Sequence, residues 1–283
     1  MDACSINSSG DALTPQFLSA VHFCSVRHPD WSNPFEFTQS IASQLASRYP
    51  AYRDALTLDP EYASAHFNLA VLLQQAGRMA VVELDRDLVG PLRDRCEDLG
   101  ELTVYNADAL SFDFCALAGN GPLRIVGNLP YNISTPLLFH LLSQMRCISD
   151  MHFMLQREVV DRLAAAPGSR QYGRLSVMVQ YRCRVTRLFT IGPGAFQPPP
   201  RVESALVRLQ PYRELPVAIH DEAVLETLVR QAFAQRRKTL RNALRGMLEE
   251  EAIRRLGIDP SVRAEMLGLS EFAALVNYDA LRL

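Results

Sequence analysis

Asn128-Leu129-Pro130-Tyr131 follows an apolar run, Leu123 to Gly127, that reads as a buried parallel strand, so these four residues stand at a strand's carboxyl end. In open α/β sheets that edge is where ligands bind. The residue types suit methyl transfer to the exocyclic amine of a planar base. Such an amine has its lone pair delocalised into the ring, so a site must accept both amine hydrogens and leave the nitrogen facing an electrophilic methyl group. Asn128 offers a side-chain carbonyl. Pro130 has a fixed φ and no N–H, which favours a rigid turn with a main-chain carbonyl as second acceptor, and the ring of Tyr131 can stack on a base. No metal or nucleophilic side chain is required. The same residues also suit a simpler role, a strand followed by a proline turn with Asn128 capping the next helix.

The elements that must position these groups are legible as alternating periods. Met79 to Leu84 is apolar and β-prone and runs into a helical pattern from Asp87 to about Asp98. Leu102 to Asn106 and Leu123 to Gly127 are further strands; Thr135 to Gln144 repeats leucines at helical spacing; Met151 to Leu155 is another apolar run. Helices follow around Val159 to Leu163 and Leu175 to Tyr181. The alternation predicts an α/β fold with a parallel sheet. Val185 to Ile191 and Val202 to Leu209 flank Pro198-Pro199-Pro200 and are expected to pair antiparallel at one edge, and the chain from about Asp221 is expected to be helical.

Glu83 and Asp108 then fall at or just after strand ends, as Asn128 does. An acid after the second strand of a doubly wound sheet is placed to accept from ribose hydroxyls, and one after the third can accept from an adenine amine. Singly, each acid suits a solvated loop or a helix cap; in order, with Asn128, they outline a nucleoside cofactor site.

The formal net charge of −2 hides an uneven distribution. From Arg184 to Arg245 there are 11 basic and 5 acidic residues, whereas from Gly246 onward there are 4 basic and 7 acidic. Arg237, Arg241 and Arg245 lie at i, i+4 and i+8, with Arg236 and Lys238 beside them, and no acid occurs from Gln231 to Met247. A helix with a cationic face, free of internal salt bridges and suited to nucleic-acid phosphates, is expected there. The six cysteines form no C-x-x-C pair, which speaks against a zinc site or a disulfide framework, and they are read as reduced. No run approaches the ~18 apolar residues of a membrane span, no secretory signal is evident, and a cytoplasmic monomer without a metal is expected.

Taken together, Glu83-Leu84-Asp85-Arg86-Asp87-Leu88, Asn106-Ala107-Asp108-Ala109-Leu110, Asn128-Leu129-Pro130-Tyr131-Asn132, Gln156-Arg157-Glu158-Val159, Tyr172-Gly173-Arg174-Leu175-Ser176, Gly194 to Ala205 and Phe233 to Asn242 resemble the ribosomal RNA adenine dimethyltransferase family that acts on the small subunit. The likeness runs from about Arg78 to the end of the chain. It implies a Rossmann-like methyltransferase sheet with a small C-terminal helical domain, and S-adenosylmethionine-dependent dimethylation of adjacent adenosines in small-subunit rRNA. By the same resemblance, Glu83 would hold the cofactor ribose, Asp108 its adenine amine, and Asn128 with the Pro130 carbonyl the target amine. Tyr131 and Phe196 would sandwich a flipped base, while Arg236, Arg237, Lys238, Arg241 and Arg245 would grip rRNA. The corresponding domains are an atypical, mostly helical segment over 1–78, a methyltransferase domain over 79–212 and a helical RNA-binding domain over 213–283.

The sequence departs from that family before its first acidic strand. There the family carries a strand and a glycine-rich loop around the cofactor's methionine portion, but between Asp11 and Asp87 the only glycine here is Gly77. No G-x-G turn can exist, and a backbone that must approach a ligand closely has no suitable residue. Ala55 to Arg78 instead resembles the junction of two tetratricopeptide helices, and one such fragment cannot stack into a solenoid. An alternative reading is therefore a catalytically silent rRNA-binding or ribosome-assembly factor of the same descent. An adaptor working through its N-terminal helices and a DNA adenine methyltransferase are further alternatives.

Overall fold

The computed structural model describes residues 78–96, 100–118, 121–193 and 202–278. The expected tetratricopeptide-like fragment, the expected missing first strand with its loop, Phe196 and the triple-proline turn lie outside these residues.

The strands are β1 (Arg78–Glu83), β2 (Glu101–Asn106), β3 (Leu123–Asn128), β4 (Ile148–Gln156), β5 (Cys183–Ile191) and β6 (Ser204–Pro211). The helices are α1 (Arg86–Cys96), α2 (Ser134–Leu142), α3 (Arg157–Leu163), α4 (Arg174–Arg182), α5 (Glu222–Phe233), α6 (Leu240–Ala243), α7 (Glu250–Arg255) and α8 (Leu269–Val276). The strand–helix alternation expected from periodicity is therefore present. β1 pairs with β2 in parallel, Glu83 opposite Asn106, and β3 pairs with β4 in parallel, Asn128 opposite Met154. Strands β3, β4, β6 and β5 form a second sheet in that order, so β5 and β6 are hydrogen-bonded neighbours with β5 at the end.

The chain divides into two compact units. One comprises the described residues up to Gln156 with those of Leu188–Arg208; the other comprises Arg157–Arg187 and the described residues from Leu209 onward. Helices α3 and α4, read from sequence as part of a domain over 79–212, thus fall in the same unit as the C-terminal helices.

In the first unit Met79, Val81, Leu92 and Val104 form a buried cluster, and Val126 of β3 packs against it. Val81, Val104 and Val126 each stand two residues before a strand end, the ends being Glu83, Asn106 and Asn128. One apolar layer thus underlies all three polar termini. Strand β3 alternates buried and half-buried residues, with Ile125 fully buried. Helix α2 buries Leu137, Leu138 and Leu141, an i, i+1, i+4 stripe that needs a covered face.

A charged staple crosses the second sheet. Asp150 on β4 is 2% exposed and takes Arg124 Nε of β3 at 2.7 Å and Arg208 Nη2 of β6 at 3.1 Å. Burial pushes its carboxyl up, but the hydrogen bond and charge of Arg124, with His152 and Arg208, outweigh this and hold it below the usual range. Burial also drives His152 down to about 4, Asp150 opposing and both arginines adding to the depression.

The cysteine expectation is corrected at one pair. Cys183 is a buried thiol pushed up to about 12 by burial, whereas Cys115 and Cys147 are disulfide-bonded. They are 32 residues apart, with no local spacing signal. Two short 3₁₀ turns, Phe114–Leu117 and Met145–Cys147, bring them together, and Gln144 joins those turns by accepting from the N–H groups of Phe114 (2.7 Å) and Cys115 (3.2 Å).

The second unit is built on Leu225, Leu228 and Val229 of α5, Ile253 of α7 and Phe272 of α8, all at 0% exposure. Asp221 caps α5 by accepting from Ala223 and Val224 N–H at 2.8 and 3.3 Å. The ring of Phe233 stands between Tyr172 and Phe272, with centroids 6.2 and 6.0 Å away. Among the described residues no helix is long and apolar enough to cross a membrane.

Candidate active site

Asn128 is the last residue of β3 and is half-buried. Among the described residues its side chain has no hydrogen-bond partner, and the helix-capping alternative is set aside because α2 begins six residues later, with Ile133 at its N-cap position. The ladder continues one residue past the strand, Leu129 N–H donating to Met154 O at 3.2 Å while the Leu129 side chain is fully buried. Pro130 O accepts from Ile133 N–H at 3.1 Å, which closes the turn and occupies one carbonyl lone pair. The second lone pair is what a ligand N–H could use. Ser134 Oγ then donates to Tyr131 O at 3.0 Å, fixing the tyrosine backbone at the entrance to α2.

The Tyr131 hydroxyl lies 2.9 Å from Ser204 Oγ. Burial raises the phenol above its ordinary value, the Ser204 hydrogen bond partly opposing this, so the hydroxyl is protonated at neutral pH. Ser204, the first residue of β6, is 0% exposed.

At the other strand ends the two acids differ. Glu83 is 1% exposed, and its Oε1 accepts from Asp85 N–H at 2.7 Å. Asp85 Oδ1 in turn accepts from Asp87 N–H at 3.0 Å, capping α1. Asn106 ties this turn to β2: its Nδ2 donates to Glu83 O at 2.9 Å and Leu84 O at 3.1 Å, and its Oδ1 accepts from Arg86 Nε at 3.2 Å. Leu84 is 62% exposed although flanked by these polar contacts. It is an apolar surface that the end of β1 leaves to solvent. Asp108 is exposed; Oδ1 accepts from Leu110 N–H at 2.9 Å, shaping an Asx turn, and Oδ2 has no partner among the described residues. The loop after Asp108 is clamped where Phe112 O meets His140 Nε2 at 2.8 Å and accepts from Gln144 Nε2 at 3.0 Å.

Sequence reasoning gave no role to Leu84, Asn106 or Ser204. All three lie inside the quoted motifs, but their partners or exposure depend on chain segments distant in sequence.

The expected cationic helix is corrected. Helix α5 ends at Phe233, turns occupy 234–237, and α6 starts after Thr239 in extended backbone; Gly246 at φ 87° then turns the chain beyond α6. Arg237, Arg241 and Arg245 therefore share no continuous helix. Nor are the cations free of acids, since the partners come from elsewhere in the unit. Arg236 donates to the carbonyls of Arg170 (2.6 Å) and Tyr172 (3.1 Å) and lies 3.6 Å from Glu265, and Arg241 pairs with Glu250 at 3.4 Å. Arg245 donates to Asn242 Oδ1 at 3.0 Å. Arg237 and Lys238 are exposed, with no partner among the described residues.

The α/β sheets with polar groups at their strand ends place the chain in the Rossmann-like methyltransferase class. Residues 69–280 match the Ribosomal RNA adenine dimethylase family, and the chain belongs to it. It is 56% identical over 208 residues to ribosomal RNA small subunit methyltransferase A of Hahella chejuensis, covering 73% of this chain and 76% of that protein. The protein of the same name from Pseudomonas aeruginosa is 54% identical over 207 residues, covering 73% of this chain and 77% of the relative. A dimethyladenosine transferase from Plasmodium falciparum superposes with a TM-score of 0.63 at 26% identity, over 73% of this chain and 83% of that one. The 23S rRNA methyltransferase ErmE shares the fold, with a TM-score of 0.60 at 19% identity over 96% of this chain and 93% of its own.

Proposed function

We propose that this chain dimethylates adenine amines in small-subunit rRNA, using S-adenosylmethionine as methyl donor. The observation that carries this reading is Asn128: a half-buried amide without a partner among the described residues, on a turn where Pro130 offers a carbonyl and Tyr131 an aromatic ring. A side chain of that kind at a sheet edge is an acceptor kept for a ligand. Asn128 Oδ1 and the second lone pair of Pro130 O take the two amine hydrogens and turn the nitrogen outward, while Tyr131 supports the base face. Phe196, expected on the opposite face, lies outside the described residues. Catalysis by these residues is positioning and acceptor geometry.

The cofactor's nucleoside end fits the residues at the other termini. Asp108 has an unengaged carboxylate oxygen, Glu83 a carboxylate at the β1 end, and Leu84 an exposed apolar side chain able to cover a purine. The bound sulfonium supplies an electrophilic methyl group. The sequence offers no glycine-rich turn for its methionine end, so its affinity is expected to be weak. That same feature supports the second reading, a silent rRNA-binding factor. Arg237 and Lys238, exposed and unpaired among the described residues, are the cations best placed for phosphate in either case.

Calorimetric titration with S-adenosylmethionine, followed by methyl-transfer assay on unmethylated small subunits, separates the two. Binding with turnover supports the enzyme, whereas rRNA binding without cofactor binding supports the silent factor.

A further inference from the structure

The ring of Tyr131 can present a defined stacking plane only if its two side-chain torsions are held. Its backbone end is fixed by the Ser134 hydrogen bond to its carbonyl and by the Ile133–Pro130 turn. The far end of the ring is held by Ser204, 73 residues away in sequence, through the 2.9 Å hydroxyl–hydroxyl contact. Ser204 is fully buried, and among the described residues its side chain has no other hydrogen-bond partner. A buried hydroxyl in a strand that otherwise buries Ala205, Val207 and Leu209 is unfavourable unless it is satisfied. The strand carrying it, β6, is hydrogen-bonded to β4, which pairs with β3, the strand that ends at Asn128. The sheet thus holds the ring through β6 and the acceptor amide through β3, so plane and acceptor share one frame.

We infer that Ser204 is a positioning residue that sets the plane of the Tyr131 ring and thereby the pose of the base presented to Asn128. This rests on the reading that Tyr131 supports the target base. The phenol stays protonated at neutral pH, so the contact persists there.

The test uses Ser204→Ala, Tyr131→Phe, their combination, Ser204→Thr and Tyr131→Ala in the full chain. It has two readouts: single-turnover methyl transfer, and quenching of 2-aminopurine placed at the target position of a small-subunit rRNA hairpin. Ser204→Ala and Tyr131→Phe are each expected to slow transfer about three- to tenfold, the size of one hydrogen bond. Both should reduce the quenching with cofactor affinity close to wild type, while Tyr131→Phe, which leaves the Ser204 hydroxyl buried and unsatisfied, also lowers the melting temperature. The double variant should match either single one, because each hydroxyl acts through the other, and Ser204→Thr should restore both readouts. Unchanged quenching in Ser204→Ala, or an equal further loss when Ser204→Ala is added to Tyr131→Phe, overturns the inference. Wild-type quenching in Tyr131→Ala, or no quenching by the wild-type chain, removes the stacking reading itself and the inference with it. Quenching decides the matter even if the chain proves catalytically silent.

Discussion

Asn128 and His152 show how differently two polar side chains on neighbouring strands behave. Asn128 keeps its amide unengaged at the end of β3, so Asn128→Ala removes an acceptor and leaves the packing beneath it in place. Methyl transfer in single turnover is expected to fall by roughly 10²-fold or more, with rRNA affinity nearly unchanged; a variant turning over normally would refute the acceptor role. His152 is instead a liability that the fold tolerates. Its folded value of about 4 lies below the ordinary 6.5, so between these pH values the unfolded chain binds the extra proton. The stability is therefore fully present above pH 6.5 and is lost as pH falls toward 4, by on the order of 2–3 kcal/mol. Asp150, held below its usual range, adds its own loss only at still lower pH. Urea midpoints measured across this range should fall with acid in the wild type and flatten in His152→Gln.

At the scale of elements, the segment from α5 to α6 decides which cations can meet RNA. Arg236 is committed to the carbonyls of Arg170 and Tyr172, whereas Arg237 and Lys238 project from the turn. Arg237→Ala with Lys238→Ala is expected to weaken rRNA binding and reduce the slope of log affinity against log salt by about one unit per lost phosphate contact. Arg236→Ala should leave the slope alone and instead lower stability by about 1–2 kcal/mol. Filter-binding isotherms at several salt concentrations, paired with denaturant melts, resolve the two effects. Beneath this surface, Leu228→Ala in the fully buried face of α5 is expected to cost about 2–5 kcal/mol by chemical denaturation.

Over the whole molecule, each of the two units has a buried cluster of its own residues. The Cys115–Cys147 bridge lies wholly in the first unit and closes a span of 32 residues, which chain entropy values at roughly 3–4 kcal/mol. Reduction is expected to speed amide exchange around 114–117 and 145–147 and to leave α5 and α8 protected. Hydrogen exchange with and without reductant reads this directly, and equal loosening of both units would show that the bridge is not a local restraint.

The amino-acid sequence determined the order of strands and helices, because burial on a sheet or along a helix imposes periods that short stretches display by themselves. It also placed Glu83, Asp108 and the pair Asn128 and Tyr131 at or just after strand ends, since they follow three apolar runs. Only the tertiary structure decided what those ends touch. Ser204 meets Tyr131 across 73 residues, Cys115 meets Cys147 across 32, and Arg236 meets the Tyr172 carbonyl across 64. Asp150 draws its arginines from two other strands, and Glu250 and Glu265 reach cations that the local sequence leaves without acids. Periodicity reports which face a residue shares with its near neighbours. The order in which strands and helices pack chooses its distant partner, and that choice is made by the burial of the whole chain.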